Sequence, residues 1–256
     1  MMLSIRNALG DTIQLYGVDD DYQLVSVSGL DPVRAQINMS TLAGQDGATF
    51  VSAKLNNRNI VVLLAVNGDI ESNRLYLYNM LPVKSQVRVL ITTDQRDVYI
   101  NGYVEYITFN AFEKGAKAQI SILCPDPYFV SQRIYSASAL ERDDQLVFQV
   151  ENTGDAPTPF EFILGAEGSF SGLTLSINDA ELIVEDYAFV SPSMISIDMT
   201  AKTASVDGVN LVPYLSSSSE FLQLPLQQAE LRVVSNFSGV TNVQSFISWH
   251  ELYGGL

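Results

Sequence analysis

The 256-residue sequence predicts a mainly β protein that contains one α-helix and folds as two domains. Two observations lead to this prediction. Short runs rich in β-branched and aromatic residues recur along the chain between Gly, Pro, Asn, Asp and Ser, which is typical of antiparallel strands. Charge is also unevenly distributed, because residues 1–131 hold 10 basic and 13 acidic side chains whereas residues 132–256 hold 4 and 16. We therefore expect one domain at 1–131 and a second, acidic one at 132–256.

One segment of the first domain has the pattern of a helix. It begins at Asp69, a residue type that caps helices, and it stops before Pro82, which cannot continue one. Large hydrophobic side chains recur between these two residues at helical spacing, namely Leu75, Tyr78 and Leu81. The sequence therefore predicts a helix at about 69–81. The β-branched run at 60–66 before it predicts a buried strand.

The segment 94–129 predicts strands that contain no catalytic residue pattern. Asn101-Gly102 within it permits two interpretations, a tight hairpin or one long strand with the glycine at a kink or bulge, as the family resemblance given below implies. We favour the long strand, because 103–109 extends beyond what 98–100 could pair with.

The last strand of that segment ends at Cys124. Residues 118–124 alternate between apolar and polar side chains, as a half-buried strand does. Pro125 and Pro127 follow, and a proline has no N–H to donate to a neighbouring strand. Because the polar stretch 136–144 comes soon after, we place the domain boundary in this region.

The second domain consists of one predicted strand after another, the pattern of a β-sandwich or jelly roll. Asp207-Gly208 lies between two alternating runs and predicts a tight hairpin. The predicted strands are residues 146–150, 160–164, 173–177, 181–184, 194–198, 203–206, 209–212, 221–224, 229–234 and 245–249.

Composition argues against enzymatic chemistry. His250 is the only histidine and Cys124 the only cysteine, so a nucleophilic triad or a zinc site lacks the residues it needs. The run Asp19-Asp20-Asp21 lacks the spacing of a calcium loop and is interpreted as a solvated turn. We expect no enzyme activity, no cofactor and no bound metal.

Charge and hydropathy narrow the range of partners. A net charge of −15, with dispersed arginines, argues against nucleic-acid binding, which requires clustered Lys and Arg. The longest apolar run, 60–66, is too short to cross a bilayer, and the first residues do not have the pattern of a signal peptide. A single cysteine cannot form an intrachain disulfide. We expect neither membrane insertion nor specific nucleic-acid binding.

One alternative function remains open from the residues alone. Exposed aromatic side chains on a β-sandwich can stack on sugar rings, and Tyr187, Tyr214 and Trp249 are the candidates for such stacking on a host-surface glycan. Core or oligomer contacts are the competing interpretation for each of them.

Six short elements of the first half occur in the order found in a known protein family. They are Ser28 to Pro32, Leu42 to Gly47, Arg58 to Val61, Gly68 to Tyr78, Asp94 to Gly102, and Ile120 to Phe129. In this order the chain resembles the distal tail proteins of long, non-contractile-tailed bacteriophages, the siphophages. The second half resembles the family more weakly, through Asn152 to Pro159 and Trp249 to Leu256. The positions that match the family pattern are Gly29, Gly44, Asp46, Gly47, Asp69, Pro82, Asp97, Gly102, Cys124, Pro125, Asp126 and Pro127.

The resemblance implies a fold and a role. The first domain would be a ring-forming β-sandwich or split barrel with one helix, and the second a galectin-like or jelly-roll sandwich. The protein would be made in the host cytoplasm and would form a ring, a hexamer by family expectation, at the distal tip of the virion tail. Its implied partners are the tail-tube protein, the tail-tip hub protein and also receptor-binding proteins of the adsorption apparatus.

Overall fold

A computed structural model describes residues 1–15, 21–44, 46–110, 115–142, 145–190, 193–235 and 240–256. The chain divides into two compact units. Unit 1 comprises Met1–Gln132 together with Tyr253–Leu256, and unit 2 comprises Arg133–Leu252. The four last residues thus belong to the first unit, whereas the sequence had suggested one unbroken domain from 132 to 256.

Unit 1 is built on one nine-stranded sheet, a separate two-stranded hairpin and one helix among the described residues. Its elements are β1 (Met2–Asn7), β2 (Thr12–Gln14), β3 (Tyr22–Ser28), β4 (Ala35–Ser40), β5 (Thr49–Leu55), β6 (Arg58–Val66), α1 (Ile70–Met80), β7 (Gln86–Thr92), β8 (Asp97–Asn110), β9 (Lys117–Cys124) and β10 (Phe129–Ser131). The large sheet has the order β2-β1-β7-β8-β9-β6-β3, and the short strand β22 (Leu252–Tyr253) joins it through β10.

The sheet encloses a hydrophobic core because its strands alternate. In β6 every second side chain from Ile60 to Val66 is buried, and the paired strand β9 buries Ala118, Ile120 and Ile122 opposite them. The same core receives Leu77 and Met80 of the helix among others.

Strand β8 decides between the two interpretations of Asn101-Gly102. It runs without interruption from Asp97 to Asn110, and Gly102 pairs with Val87 of β7 within it. A Cβ atom at Gly102 would lie 2.6 Å from Cγ2 of Ile122 and 2.8 Å from the Sγ atom of Cys124. The favoured long strand is therefore confirmed, and the glycine allows the close packing of β9.

The predicted helix is present as α1. Asp69 is its N-cap and accepts hydrogen bonds from the backbone N–H and the hydroxyl of Ser72, the latter at 2.8 Å. These bonds hold the pKa of the Asp69 carboxyl below its ordinary value. Leu77 and Met80 point into the core, whereas Leu75 is 48% exposed and Tyr78 is also exposed.

Unit 2 consists of two antiparallel sheets that share one hydrophobic core. The strands are β11 (Tyr135–Ser138), β12 (Leu140–Arg142), β13 (Gln145–Asn152), β14 (Phe160–Gly168), β15 (Phe170–Ile177), β16 (Ala180–Phe189), β17 (Ser193–Asp198), β18 (Thr203–Val206), β19 (Val209–Asn210), β20 (Gln227–Val234) and β21 (Val240–Trp249). One sheet has the order β11-β21-β14-β17-β18-β19 and the other β12-β13-β20-β15-β16.

Aromatic side chains hold the core of unit 2 together. Phe148 and Phe162 meet edge to face with ring centroids 6.2 Å apart, and Phe170 stacks on Phe189 at 4.5 Å. The predicted fold class, mainly β with one helix and a β-sandwich in the second half, is confirmed.

One local prediction was wrong. Residues 221–224 form no strand, because their backbone makes only an isolated bridge between Leu224 and Thr158. The stretch that follows unit 1 contributes two short strands to unit 2, since β11 pairs with β21 and β12 pairs with β13.

Candidate assembly site

The hairpin of β4 and β5 is the most unusual surface of unit 1. Every described residue of both strands is exposed, and the pair forms a sheet of its own. Ile37 pairs with Ala53, and Met39 pairs with Phe50 beside a bulge. An isolated two-stranded hairpin is at best marginally stable in water, so this one requires further contacts.

The two faces of the hairpin differ in chemistry. Alternation places the polar residues together on one face, where the Asn38 amide donates a hydrogen bond to the Ser52 hydroxyl at 3.0 Å. The opposite face is apolar and exposed to solvent, with Ile37 at 53% and Phe50 at 62% exposure. We call this the hairpin apolar face, and it comprises Ala35, Ile37, Met39, Phe50, Ala53 and Leu55.

The turn of the hairpin carries three of the positions that match the family pattern. Gly44 and Gly47 have φ angles of +87° and +88°, a conformation that glycine adopts without strain, and Asp46 is exposed between them. These positions thus shape the turn that connects β4 to β5.

Helix α1 presents a second exposed apolar surface on unit 1. We call it the α1 surface, and it comprises Leu75, Tyr76 and Tyr78. Tyr76 stacks on Tyr22 with a centroid distance of 6.3 Å, and the Arg74 guanidinium lies 5.3 Å from the Tyr78 ring centroid. The hairpin apolar face and the α1 surface are distinct, so one subunit offers two different apolar contacts.

A buried arginine organises the part of unit 1 next to the hairpin. Arg58, the first residue of β6, is 1% exposed and donates to four backbone carbonyl oxygens. Its guanidinium carbon also lies 4.2 Å from the ring centroid of Phe129. The acceptors are Gly29 at 2.5 Å, Asp31 at 2.8 Å, Pro127 at 2.8 Å and Gly254 at 2.6 Å.

Burial lowers the pKa of the Arg58 guanidinium from its ordinary value. An arginine nevertheless stays protonated in proteins, so the positive charge must be satisfied by the surrounding carbonyl oxygens and the aromatic ring. Arg58 therefore joins β6 to three other chain segments through their backbone.

The last four residues of the chain are fixed by this arrangement, and we call them the C-terminal tail (Tyr253–Leu256). Arg96 donates to the carbonyl oxygen of Gly255, and its guanidinium carbon lies 4.2 Å from the Tyr253 ring centroid. The Leu256 N–H donates to the Leu30 carbonyl oxygen at 3.1 Å. The tail thus completes unit 1 from the far end of the sequence.

Most other positions that match the family pattern shape the local backbone or accept hydrogen bonds from nearby residues. Gly29 has a φ angle of +86°, and a Cβ atom there would lie 2.0 Å from the Asn59 carbonyl oxygen. Asp97 accepts hydrogen bonds from Thr92 and from Gln132, and Asp126 accepts one from the Tyr128 N–H. The remaining positions lie at chain turns, with Pro82 directly after the helix and Cys124, Pro125 and Pro127 at the end of β9.

The three aromatic candidates for glycan stacking do not form one platform. Tyr187 and Tyr214 meet edge to face at 4.9 Å. Trp249 is only 6% exposed, lies in the core of unit 2 and has Tyr135 stacked on it at 6.0 Å. Its ring therefore offers no free face to a sugar.

The residues considered for catalysis and metal binding are scattered. Cys124 is buried, and burial raises the pKa of its thiol to about 12, which leaves it unreactive at neutral pH. The described residues contain no cluster of three or more His, Cys, Asp or Glu side chains able to hold a metal ion. Asp19 and Asp20 lie outside the described residues. Within the described chain, no helix is long and apolar enough to cross a membrane.

Comparison with known proteins assigns the second half of the chain. Residues 153–253 match the family model of the siphovirus-type tail component, C-terminal domain. This part of the chain is therefore similar to siphovirus-type tail components, in agreement with the prediction of a distal tail protein of a siphophage. The matched range lies in the half where the sequence resemblance was weaker.

Solved structures agree in fold with the whole chain. The Dit protein of phage SPP1, described as a paradigm of the hub adsorption apparatus in phages that infect Gram-positive bacteria, has 20% identity and a TM-score of 0.72. The alignment covers 98% of this chain and 99% of that one. A chain of the phage P2 baseplate in its activated conformation with Ca has 11% identity and a TM-score of 0.52 over 96% and 97% of the two chains.

The same baseplate with Sr gives 11% identity, a TM-score of 0.51 and the same coverage. A search of curated protein sequences found no match. These comparisons do not favour the glycan-binding alternative.

Two features of unit 1 were missed by the sequence analysis. The hairpin apolar face was readable in principle, since Ala35, Ile37 and Met39 alternate with polar residues before a glycine turn. The partners of Arg58 were not readable, because they lie up to 196 positions away in the chain.

Proposed function

We propose that this protein is a non-enzymatic subunit of a closed ring at the distal end of the phage tail, with six copies per ring. The ring connects the tail-tube protein to the tail-tip hub protein and to the receptor-binding proteins of the adsorption apparatus. The similarity in fold to a hub protein and to a baseplate component supports this role. The observation that carries it is the fully exposed hairpin apolar face.

A ring requires head-to-tail contacts between two different surfaces of the same subunit. The hairpin apolar face and the α1 surface form such a pair, because both are apolar and each is exposed in the single chain. The α1 surface of a neighbouring copy would cover Ile37 and Phe50 and remove their side chains from water. Burial of this kind stabilises a contact by roughly 25 cal/mol per Å² of apolar area. The hairpin itself would gain the partner that a two-stranded sheet needs.

Charge also favours assembly through unit 1. Residues 1–131 have a net charge of −3, whereas residues 132–256 have a net charge of −12. Copies of the second half crowded around an axis would repel one another, although salt screens this repulsion beyond about 8–10 Å. We therefore assign ring closure to unit 1.

Electron microscopy of the full-length protein at several concentrations, with light scattering in parallel, tests the proposal. We expect closed rings with sixfold symmetry. The paired substitution Ile37→Ser and Phe50→Ser should shift the protein to monomers. Gln36→Ser with Lys54→Ser changes the polar face of the same hairpin and should leave the rings intact. Rings that persist when the apolar face is changed would contradict the assigned contact.

A further inference from the structure

The outer face of the six-stranded sheet of unit 2 carries an apolar patch around a glycine. Gly165 of the central strand β14 pairs with Met194 of β17 on one side and with Gln244 of β21 on the other. One step along the strand, Ile163 pairs with Phe246. We call this the Gly165 face, and it comprises Ile163, Gly165, Met194, Gln244 and Phe246.

The missing side chain leaves a hollow in this face. A Cβ atom at Gly165 would meet only the Gln244 carbonyl oxygen, at 3.9 Å, so the space above the glycine is open. The hollow has a volume of about 400 Å³ and is bordered by Met194, Asp207 and Asn242 among others. Met194 is 61% exposed beside it, and Phe246 is exposed on the neighbouring strand. The space is large enough to receive an apolar side chain of another molecule against Met194.

Acidic side chains stand at both ends of the Gly165 face. Glu161 and Glu167 occupy the same outer row of β14 as Gly165, and they lie six residues apart, about 20 Å along an extended strand. Asp207 borders the hollow and accepts a hydrogen bond from the Met194 N–H at 3.0 Å. The outer rows of β14, β17 and β21 contain no Lys or Arg.

We propose that the Gly165 face binds an extended segment of a partner protein, with an apolar side chain in the hollow and a Lys or Arg at each end. The apolar patch would provide the anchor and the two glutamates would select the cations. Nucleic acid does not fit, because its phosphates would meet carboxylates. A second copy of this face does not fit either, because both surfaces are acidic. The inference concerns unit 2 and is independent of ring closure.

Synthetic seven-residue peptides immobilised on an array test this inference with the full-length protein. One series has Lys at both ends and Leu, Ile or Phe at the centre. A second series has Glu at both ends, and a third keeps Lys but has Ser at the centre. We expect retention by the first series only, and we expect it to weaken as salt rises above about 0.15 M.

Two variants locate the binding. Glu161→Gln with Glu167→Gln should weaken retention about tenfold. Gly165→Val should weaken it strongly, because the new side chain projects into the hollow without a clash and a valine suits a strand. Glu181→Gln with Glu220→Gln removes the same charge away from this sheet and should bind like the unchanged protein.

Three results would overturn the inference. The first is retention of the Glu-ended peptides equal to that of the Lys-ended ones. The second is full binding by both the Gly165→Val variant and the Glu161→Gln, Glu167→Gln variant. The third is that peptides with Leu, Ile or Phe at the centre are retained no better than those with Ser. Circular dichroism of Gly165→Val would show whether loss of binding accompanies an intact fold.

Discussion

The Arg58 guanidinium donates a hydrogen bond to the Gly254 carbonyl oxygen at 2.6 Å, which joins residues separated by 196 positions. The same side chain bonds three further carbonyl oxygens and is almost completely buried. One cation thus holds three chain segments of unit 1 against the start of β6.

Replacement of Arg58 should destabilise the protein strongly. Arg58→Met keeps part of the side-chain volume but leaves four carbonyl oxygens without their donor. We expect the free energy of unfolding to fall by about 3–5 kcal/mol, as when one partner of a buried charged group is removed. Urea denaturation checks this. Arg74→Met, which removes an exposed ion pair with Glu71, is the control and should change stability little.

Two adjacent glycines of the C-terminal tail should respond differently to the same substitution. A Cβ atom at Gly255 would lie 2.7 Å from Cδ of Pro32, whose ring cannot move aside, whereas a Cβ atom at Gly254 meets nothing within 4 Å. Gly255→Ala should therefore lower the thermal midpoint by several degrees, equivalent to about 1–3 kcal/mol. Gly254→Ala should leave it almost unchanged. Equal effects of the two would argue against this position of the tail.

Gly29→Ala tests the close approach of two backbone segments. The new Cβ atom would overlap the Asn59 carbonyl oxygen, and an alanine is also strained at a φ angle of +86°. We expect a loss well above the roughly 1 kcal/mol that left-handed strain alone costs. Gly44 has a φ angle of +87° but open space around it, so Gly44→Ala measures the cost of the backbone strain without a steric overlap. Calorimetry of both variants should show the larger loss for Gly29→Ala.

Stability should fall as the solution becomes alkaline. The pKa of the Cys124 thiol is raised by burial from 9.0 to about 12, so the unfolded chain loses this proton before the folded one does. Since the unfolded state then binds fewer protons, the free energy of unfolding decreases between about pH 9 and pH 12. Burial raises the pKa of Tyr22 to about 12 as well, which acts in the same direction above about pH 10.

Urea denaturation across this pH range measures the effect. Cys124→Ala should show a smaller decrease than the unchanged protein, and the combination with Tyr22→Phe a smaller one still. If the pH dependence is the same in all three proteins, neither group is responsible for it.

Local signals predicted much of the fold. The cap at Asp69 and the stop at Pro82 located the helix, because both act within one turn of the backbone. The pair Asp207-Gly208 located a hairpin, since their φ angles of +47° and +83° suit a tight turn. Alternation of apolar residues located most strands of unit 2, because it too is a pattern within a few consecutive residues.

The parts that failed depend on distant residues. Helical spacing of Leu75, Tyr78 and Leu81 does not show which side chains reach the core. Leu77, Met80 and Leu81 are buried there, whereas Leu75 and Tyr78 are exposed. The return of the C-terminal tail to unit 1 depends on Arg58 and Arg96, whose acceptors are remote in sequence. Of the candidate assembly site, the sequence shows the glycine turn and the alternation of Ala35, Ile37 and Met39 with polar residues, but it does not show that the apolar side of the hairpin is exposed to solvent.

The placement of unit 2 between Gln132 and Tyr253 makes it an insertion with two attachments to unit 1. A single backbone cut anywhere in Arg133–Leu252 would therefore release neither fragment outright. The first fragment would stay covalently continuous with Met1–Gln132, and the second would remain docked through Tyr253–Leu256, held by Arg58, Arg96 and Leu30. A chain cut once in unit 2 would therefore keep its two fragments together.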